Sequence, residues 1–148
     1  MTNAEQERLL FWRLFEEELE KQGNPFHLED RAYYATVNRK SANSDYCLSV
    51  DFLLRKQFVR VGLYINDDVP AFEYMLKHRS EIEERLGFQP MWTQRGEKNI
   101  NTRRIEKHIS LIPYSPSSYL RVIKQTIEYI KRFKEVIPLY SCELLFDF

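Results

Sequence analysis

Residues 57–87 read QFVRVGLYINDDVPAFEYMLKHRSEIEERLG, and the change of period inside this stretch decides the fold. Val59, Val61, Leu63 and Ile65 fall on one side, and Phe58, Arg60, Gly62 and Tyr64 on the other. That period of two is a strand with one apolar face and one mixed face. Asn66-Asp67-Asp68 then places carboxylates at a helix start, where unpaired N–H groups and the helix macrodipole favour negative charge. Pro70 suits the first turn, because the donor it lacks would go unused there. Phe72, Met75, Leu76, Ile82 and Leu86 recur at three- and four-residue spacing, so one amphipathic helix is expected. Gly87 ends it by taking left-handed backbone freely. Asp67 and Asp68 are read as helix-start residues and not as a metal or acid–base pair, since no partner ligand stands near them in sequence.

Outward from this unit, Arg31–Arg39 and Tyr46–Leu54 read as two earlier strands. Polar turns at Ser41–Asp45 and Arg55-Lys56 join them to Phe58–Ile65, and connections this short imply an antiparallel meander. In Tyr46–Leu54, Leu48, Val50, Phe52 and Leu54 alternate with Cys47, Ser49, Asp51 and Leu53. One sheet face is therefore apolar from strand to strand, and the other carries Ser49, Asp51, Arg60 and Tyr64. Ala4–Gln22 reads as a helix whose wide apolar face includes Leu9, Phe11, Trp12, Phe15 and Leu19. Asn3 can cap it, Gly23-Asn24-Pro25 ends it, and Glu16–Glu18 with Glu20 form a solvated side.

Downstream, Phe88–Gln94 is a short strand whose Pro90 implies an edge strand or an entry position. Arg95–Asn101 is a turn, and Thr102–Ile112 alternates again. Ile105, Lys107, Ile109 and Leu111 share one side, and Arg104, Glu106, His108 and Ser110 the other. Lys107, among apolar neighbours, is expected to snorkel. Ser117 or Ser118 caps a last helix, Tyr119–Val136, striped by Leu120, Ile123, Ile127, Ile130 and Phe133. The apolar ending LYSCELLFDF is expected to dock on the body. These elements make a single α+β domain over residues 1–148. It has an N-terminal helix, a β-meander, a helix, two more strands in the same sheet and a C-terminal helix.

Composition bounds the rest. A chain of 148 residues with 43% hydrophobic and 30% charged residues is a globular domain able to bury about 68–70% of its unfolded surface. Two cysteines, Cys47 and Cys142, are too few for a disulfide framework and read as small apolar fillers. No signal pattern and no membrane-spanning run is present, so a cytoplasmic protein without membrane contact is expected. The net charge is zero but unevenly spread: Met1–Asp30 carries −5 and Met91–Lys134 carries +7. These regions attract each other in the bland reading, and the basic one binds a partner in the sharper reading.

No phosphate-binding glycine loop, serine nucleophile motif or zinc-protease motif occurs. His27, His78 and His108 are scattered, with no ligand spacing among them. The element order resembles that of the restriction-endonuclease-like PD-(D/E)xK core, in which an Asp and a second carboxylate hold Mg²⁺ and a nearby Lys orients the attacking water. Asp51 is the weak catalytic candidate. The next strand offers Val59-Arg60-Val61 where acid-x-Lys is required, so Asp51 and Arg60 are expected to form a cross-strand ion pair. Arg60, Tyr64, Trp92, Arg95, Lys98, Arg103, Arg104 and His108 are the nucleic-acid-binding candidates, cations for phosphates and rings for bases.

FWRLFEEELE, RVGLYIN, FEYMLKHRSEIEERLG, the following MW, and RRIEKHI together resemble the bacterial family known as domain of unknown function 4268, from about Leu9 to Val136. The resemblance implies association with nucleases or restriction systems, and implies neither catalysis nor catalytic residues for this domain. The expectation is a non-enzymatic interaction module that needs no cofactor or metal and contacts nucleic acid or another protein. A divergent Mg²⁺-dependent nuclease centred on Asp51 and a homo-oligomerising structural protein are the alternatives.

Overall fold

The computed structural model describes residues 3–29, 33–38, 46–94 and 101–140. The turn Ser41–Asp45, the candidates Arg95 and Lys98, and the C-terminal ending with Cys142 lie outside the described residues, so the readings made of them stop there.

The described chain is an α+β fold with a six-stranded antiparallel sheet and four helices. Helix α1 (Asn3–Lys21) precedes β1 (Leu28–Glu29), β2 (Tyr34–Val37), β3 (Tyr46–Leu53) and β4 (Phe58–Asn66). Helices α2 (Val69–Lys77) and α3 (Arg79–Leu86) lead to β5 (Met91–Thr93), β6 (Thr102–Ser110) and α4 (Pro116–Val136), and a 3₁₀ turn follows at Ile137–Tyr140. The sheet order is β1-β2-β3-β4-β6-β5. β6 therefore returns beside β4, pairing Arg60↔His108 and Tyr64↔Arg104, while the Pro90-preceded β5 takes the edge as expected.

All four helices lie on the sheet face built from Val50, Phe52, Val59, Val61, Leu63, Ile65 and Ile105. Phe11 of α1 stacks on Phe52 with ring centroids 4.5 Å apart, and Tyr119 of α4 meets Phe52 edge-on at 5.9 Å. Phe72 of α2 meets Trp92 at 6.0 Å, and Phe88, just past α3, meets Phe133 of α4 at 5.6 Å. Burying side chains of this size is worth about 1.5–3 kcal/mol each, which makes this layer the driving force of the fold. Lys107 snorkels on this side, its ammonium 5.9 Å from the Phe88 ring centroid and 6.0 Å from that of Tyr129. No described helix is long and apolar enough to cross a membrane.

Three local readings need correction. The single helix expected over residues 69–86 is two, broken at His78, whose φ of −103° and ψ of 20° leave helical geometry. His78 Nδ1 stands 2.9 Å from the Tyr74 carbonyl oxygen, a side-chain contact that competes with the helical ladder. The last helix starts earlier, with Pro116 in its first turn and Ser115 as its cap, accepting from the Ser118 N–H at 3.2 Å. On α1, Glu18 is buried and not part of a solvated face, and Leu9 is exposed. The start of α2 conforms: Asp68 Oδ1 accepts from the Ala71 N–H at 3.1 Å, and Gly87 ends α3 in the left-handed region.

Gly62 sets the closeness of β4 and β6. A Cβ there would overlap the Ile105 carbonyl oxygen and stand 2.7 Å from Glu106 Cα, both backbone atoms that cannot step aside alone. Gly62→Ala is expected to cost about 2–3 kcal/mol by overpacking. Gly87→Ala, left-handed but in open space, is expected to cost about 1 kcal/mol; chemical denaturation compares the two.

Tyr119, buried under α1, donates to Glu7 Oε2 at 2.6 Å, and burial with the Glu7 carboxylate raises its pKa. Tyr119→Phe is expected to cost about 1–2 kcal/mol at neutral pH. Because the folded pKa exceeds the unfolded value of about 10, this contribution is whole below pH ~10 and is lost as pH rises toward the folded value. The gap between wild type and Tyr119→Phe in urea melts should therefore narrow above pH ~10.

Candidate functional site: the polar face of the sheet

Strand alternation puts the side chains opposite the helical layer on one surface. Tyr34 of β2, Ser49 and Asp51 of β3, Phe58, Arg60 and Tyr64 of β4, and Arg104, Glu106 and His108 of β6 share it by register. Every described helix is on the other side, so this face carries the polar and aromatic groups that the core cannot use.

Its centre is a charge network across three strands. Arg60 Nε donates to Asp51 Oδ2 at 2.6 Å, which is the cross-strand pair expected from sequence. The same nitrogen lies 3.5 Å from Glu106 Oε2, and Arg104 reaches Asp51 Oδ2 at 3.6 Å. Glu106 Oε1 accepts from the Thr93 hydroxyl at 3.3 Å and stands 3.5 Å from His108 Nε2. Asp51 and Glu106 are only 3% and 5% exposed, so the two guanidiniums stand where solvent scarcely reaches the carboxylates. Two carboxylates against two arginines leave the network close to neutral.

Two aromatic pairs flank it. The Arg104 guanidinium carbon lies 4.7 Å from the Tyr64 ring centroid, and His108 stacks on Phe58 at 4.2 Å with only 10° between the planes. Tyr34, opposite Asp51 on β2, is partly exposed and extends the aromatic row.

Of the eight residues that the sequence nominated for nucleic-acid contact, the structure gathers Arg60, Tyr64, Arg104 and His108 here. Arg103 and Trp92 are elsewhere. Neighbours on a strand face opposite ways, so Arg103 points to the helical side, where Nη1 donates to the Thr102 carbonyl at 3.0 Å. Trp92 packs against Phe72 and donates to Glu83 Oε2 at 3.2 Å, a fastening of β5 to α3. Glu106 and Phe58 were not singled out as candidates. Their parity was legible, but the adjacency of β6 to β4 was not. Among the described residues no group of three or more His, Cys, Asp or Glu side chains is placed to hold a metal ion.

The fold and this face define an α+β domain with one sheet surface packed under helices and the other carrying a compensated ion network edged by rings. The chain belongs to the family described as Domain of unknown function (DUF4268), which it matches over residues 7–141. Neither a curated protein nor a solved structure matches it.

Removing Arg60 leaves two nearly buried carboxylates short of a partner. Arg60→Met is expected to cost about 2–4 kcal/mol and Asp51→Asn a similar amount. The double variant should cost less than the two together by about 1–3 kcal/mol, read from a double-mutant cycle in urea.

Proposed function

We propose that this chain is a non-enzymatic interaction module whose polar sheet face contacts single-stranded nucleic acid. The observation that carries the reading is the Arg104–Tyr64 pair, a cation 4.7 Å from a ring centroid on the face away from the helices. A ring next to a cation offers a stacking surface beside a phosphate-seeking group, and bases stack on such rings whatever their sequence. The Phe58–His108 stack and Tyr34 provide further rings on the same surface. Asp51 and Glu106 neutralise most of the arginine charge, so stacking outweighs phosphate attraction and the salt dependence is shallow. The restriction or nuclease association implied by the family resemblance is part of the same proposal.

The nuclease alternative gains one feature and loses another. Glu106 supplies a second carboxylate facing Asp51, but Arg60 lies between them at 2.6 and 3.5 Å and already compensates both. A divalent ion would have to displace that guanidinium. The strand that should carry the lysine has Arg60 flanked by Val59 and Val61. These side chains support binding better than hydrolysis.

The test is fluorescence anisotropy of a short labelled oligothymidine at low salt. Saturable binding is expected, weakened about tenfold by Tyr64→Ala, since a stacked base is worth about 1–3 kcal/mol. Arg104→Ala should weaken it by a similar factor. No binding, or binding that both variants leave unchanged, overturns the proposal.

A further inference from the structure

A second site lies on the helical side of the sheet, away from the ion network. The N-terminal turns of α1 and the β3–β4 turn border an open cavity of about 340 Å³. Its lining is mostly apolar, from Tyr33, Leu53 and Leu54 with the buried Phe52 beneath them. Around it are three cations, Arg8 from α1 with Arg55 and Lys56 from the turn, and no acid among the described lining residues.

Among the described residues, none of the three cations makes an ion pair or hydrogen bond. Nearby Glu7 on α1 is occupied in accepting from Tyr119. Arg8 is half-buried at the edge of the cavity. An apolar floor beneath three uncompensated cations suits one chemistry: a small hydrophobic body bearing a compact anion. A phosphate monoester fits the charge better than a carboxylate. It is close to a dianion at neutral pH, and its oxygens can meet an arginine fork and further donors together. The volume falls at the small end of ligand cavities, which limits the ester to a single ring or a short chain.

We infer that this cavity binds a small organic phosphate ester, its apolar part against Tyr33, Leu53 and Leu54 and its phosphate against Arg8, Arg55 and Lys56. The site is separate from the polar sheet face and does not rest on the nucleic-acid reading.

Phenyl phosphate is the probe, titrated into the full chain and followed by calorimetry and by amide chemical shifts. Expected are saturable binding, shifts centred on Leu53–Lys56, and inorganic phosphate binding about tenfold more weakly because it leaves the apolar floor unused. Arg8→Gln should weaken phenyl phosphate about tenfold or more, and so should the double variant Arg55→Gln/Lys56→Gln. Tyr64→Ala should leave it unchanged. Absence of saturation, shifts centred elsewhere, equal binding of inorganic phosphate, or unchanged affinity in the charge variants overturns the inference. Arg55 and Lys56 are exposed, so the double variant decides the question even if Arg8→Gln impairs folding.

Discussion

Strand β4 is hydrogen-bonded along both sides for nearly its whole length. It pairs with β3 from Tyr46↔Ile65 to Leu53↔Phe58, and with β6 from Phe58↔Ser110 to Asn66↔Thr102. With both edges occupied, its side chains are divided strictly between two faces, and a slip of one residue would exchange them all. Val59, Val61, Leu63 and Ile65 then require a covering layer, which α1, α2, α3 and α4 supply. Phe58, Arg60 and Tyr64 require something else. Gly62 lets the β6 backbone close against β4 at the middle of this run, so the pairing depends on a residue with no side chain to pack.

What the other face requires is charge compensation. Arg60 sits in the central strand with an acid on each neighbour, Asp51 on β3 and Glu106 on β6. A lone carboxylate at 3–5% exposure would be costly, and a second one nearby would raise that cost by repulsion. The guanidinium answers both, and Arg104 adds a further contact to Asp51. The network thus holds three strands to one register on the face where no hydrophobic core does so. It also sets the charge of the surface, because the acids offset the arginines that lie beside its rings.

The cavity beside α1 has the opposite electrostatics. On the sheet face Arg60 and Arg104 each have an acid within about 4 Å, whereas Arg8, Arg55 and Lys56 pair with none among the described residues. The same residue types are therefore paired with acids in one place and unpaired among the described residues in the other. Residue counts along the chain do not reveal the difference. The excess of basic residues over 91–134 drew attention to β6, yet part of that charge is dispersed: Lys107 lies over Phe88 and Tyr129, and Lys134 donates to the Pro25 carbonyl at 3.2 Å.

Periodicity by itself determined the strands β3, β4 and β6, the two faces of each, the long first and last helices, and the Asp68 and Gly87 ends of the middle helical segment. These are local consequences of side-chain direction and capping chemistry, and a single chain segment contains all the information they need. The Asp51–Arg60 pair was equally legible, because a short β3–β4 turn leaves one register that aligns the apolar faces. The break at His78 was not legible, since the apolar stripe runs on across it. Nor was the two-residue strand β1, too short to show a period. Only the tertiary structure decided that β6 inserts beside β4 and leaves β5 at the edge. That step brings Glu106 to Arg60 and Arg104 to Tyr64, and seats Trp92 against Phe72. The cavity under Arg8 likewise joins residues more than forty positions apart. Pairing between distant segments is a competition among registers and partners across the whole chain, and no stretch read alone holds its outcome.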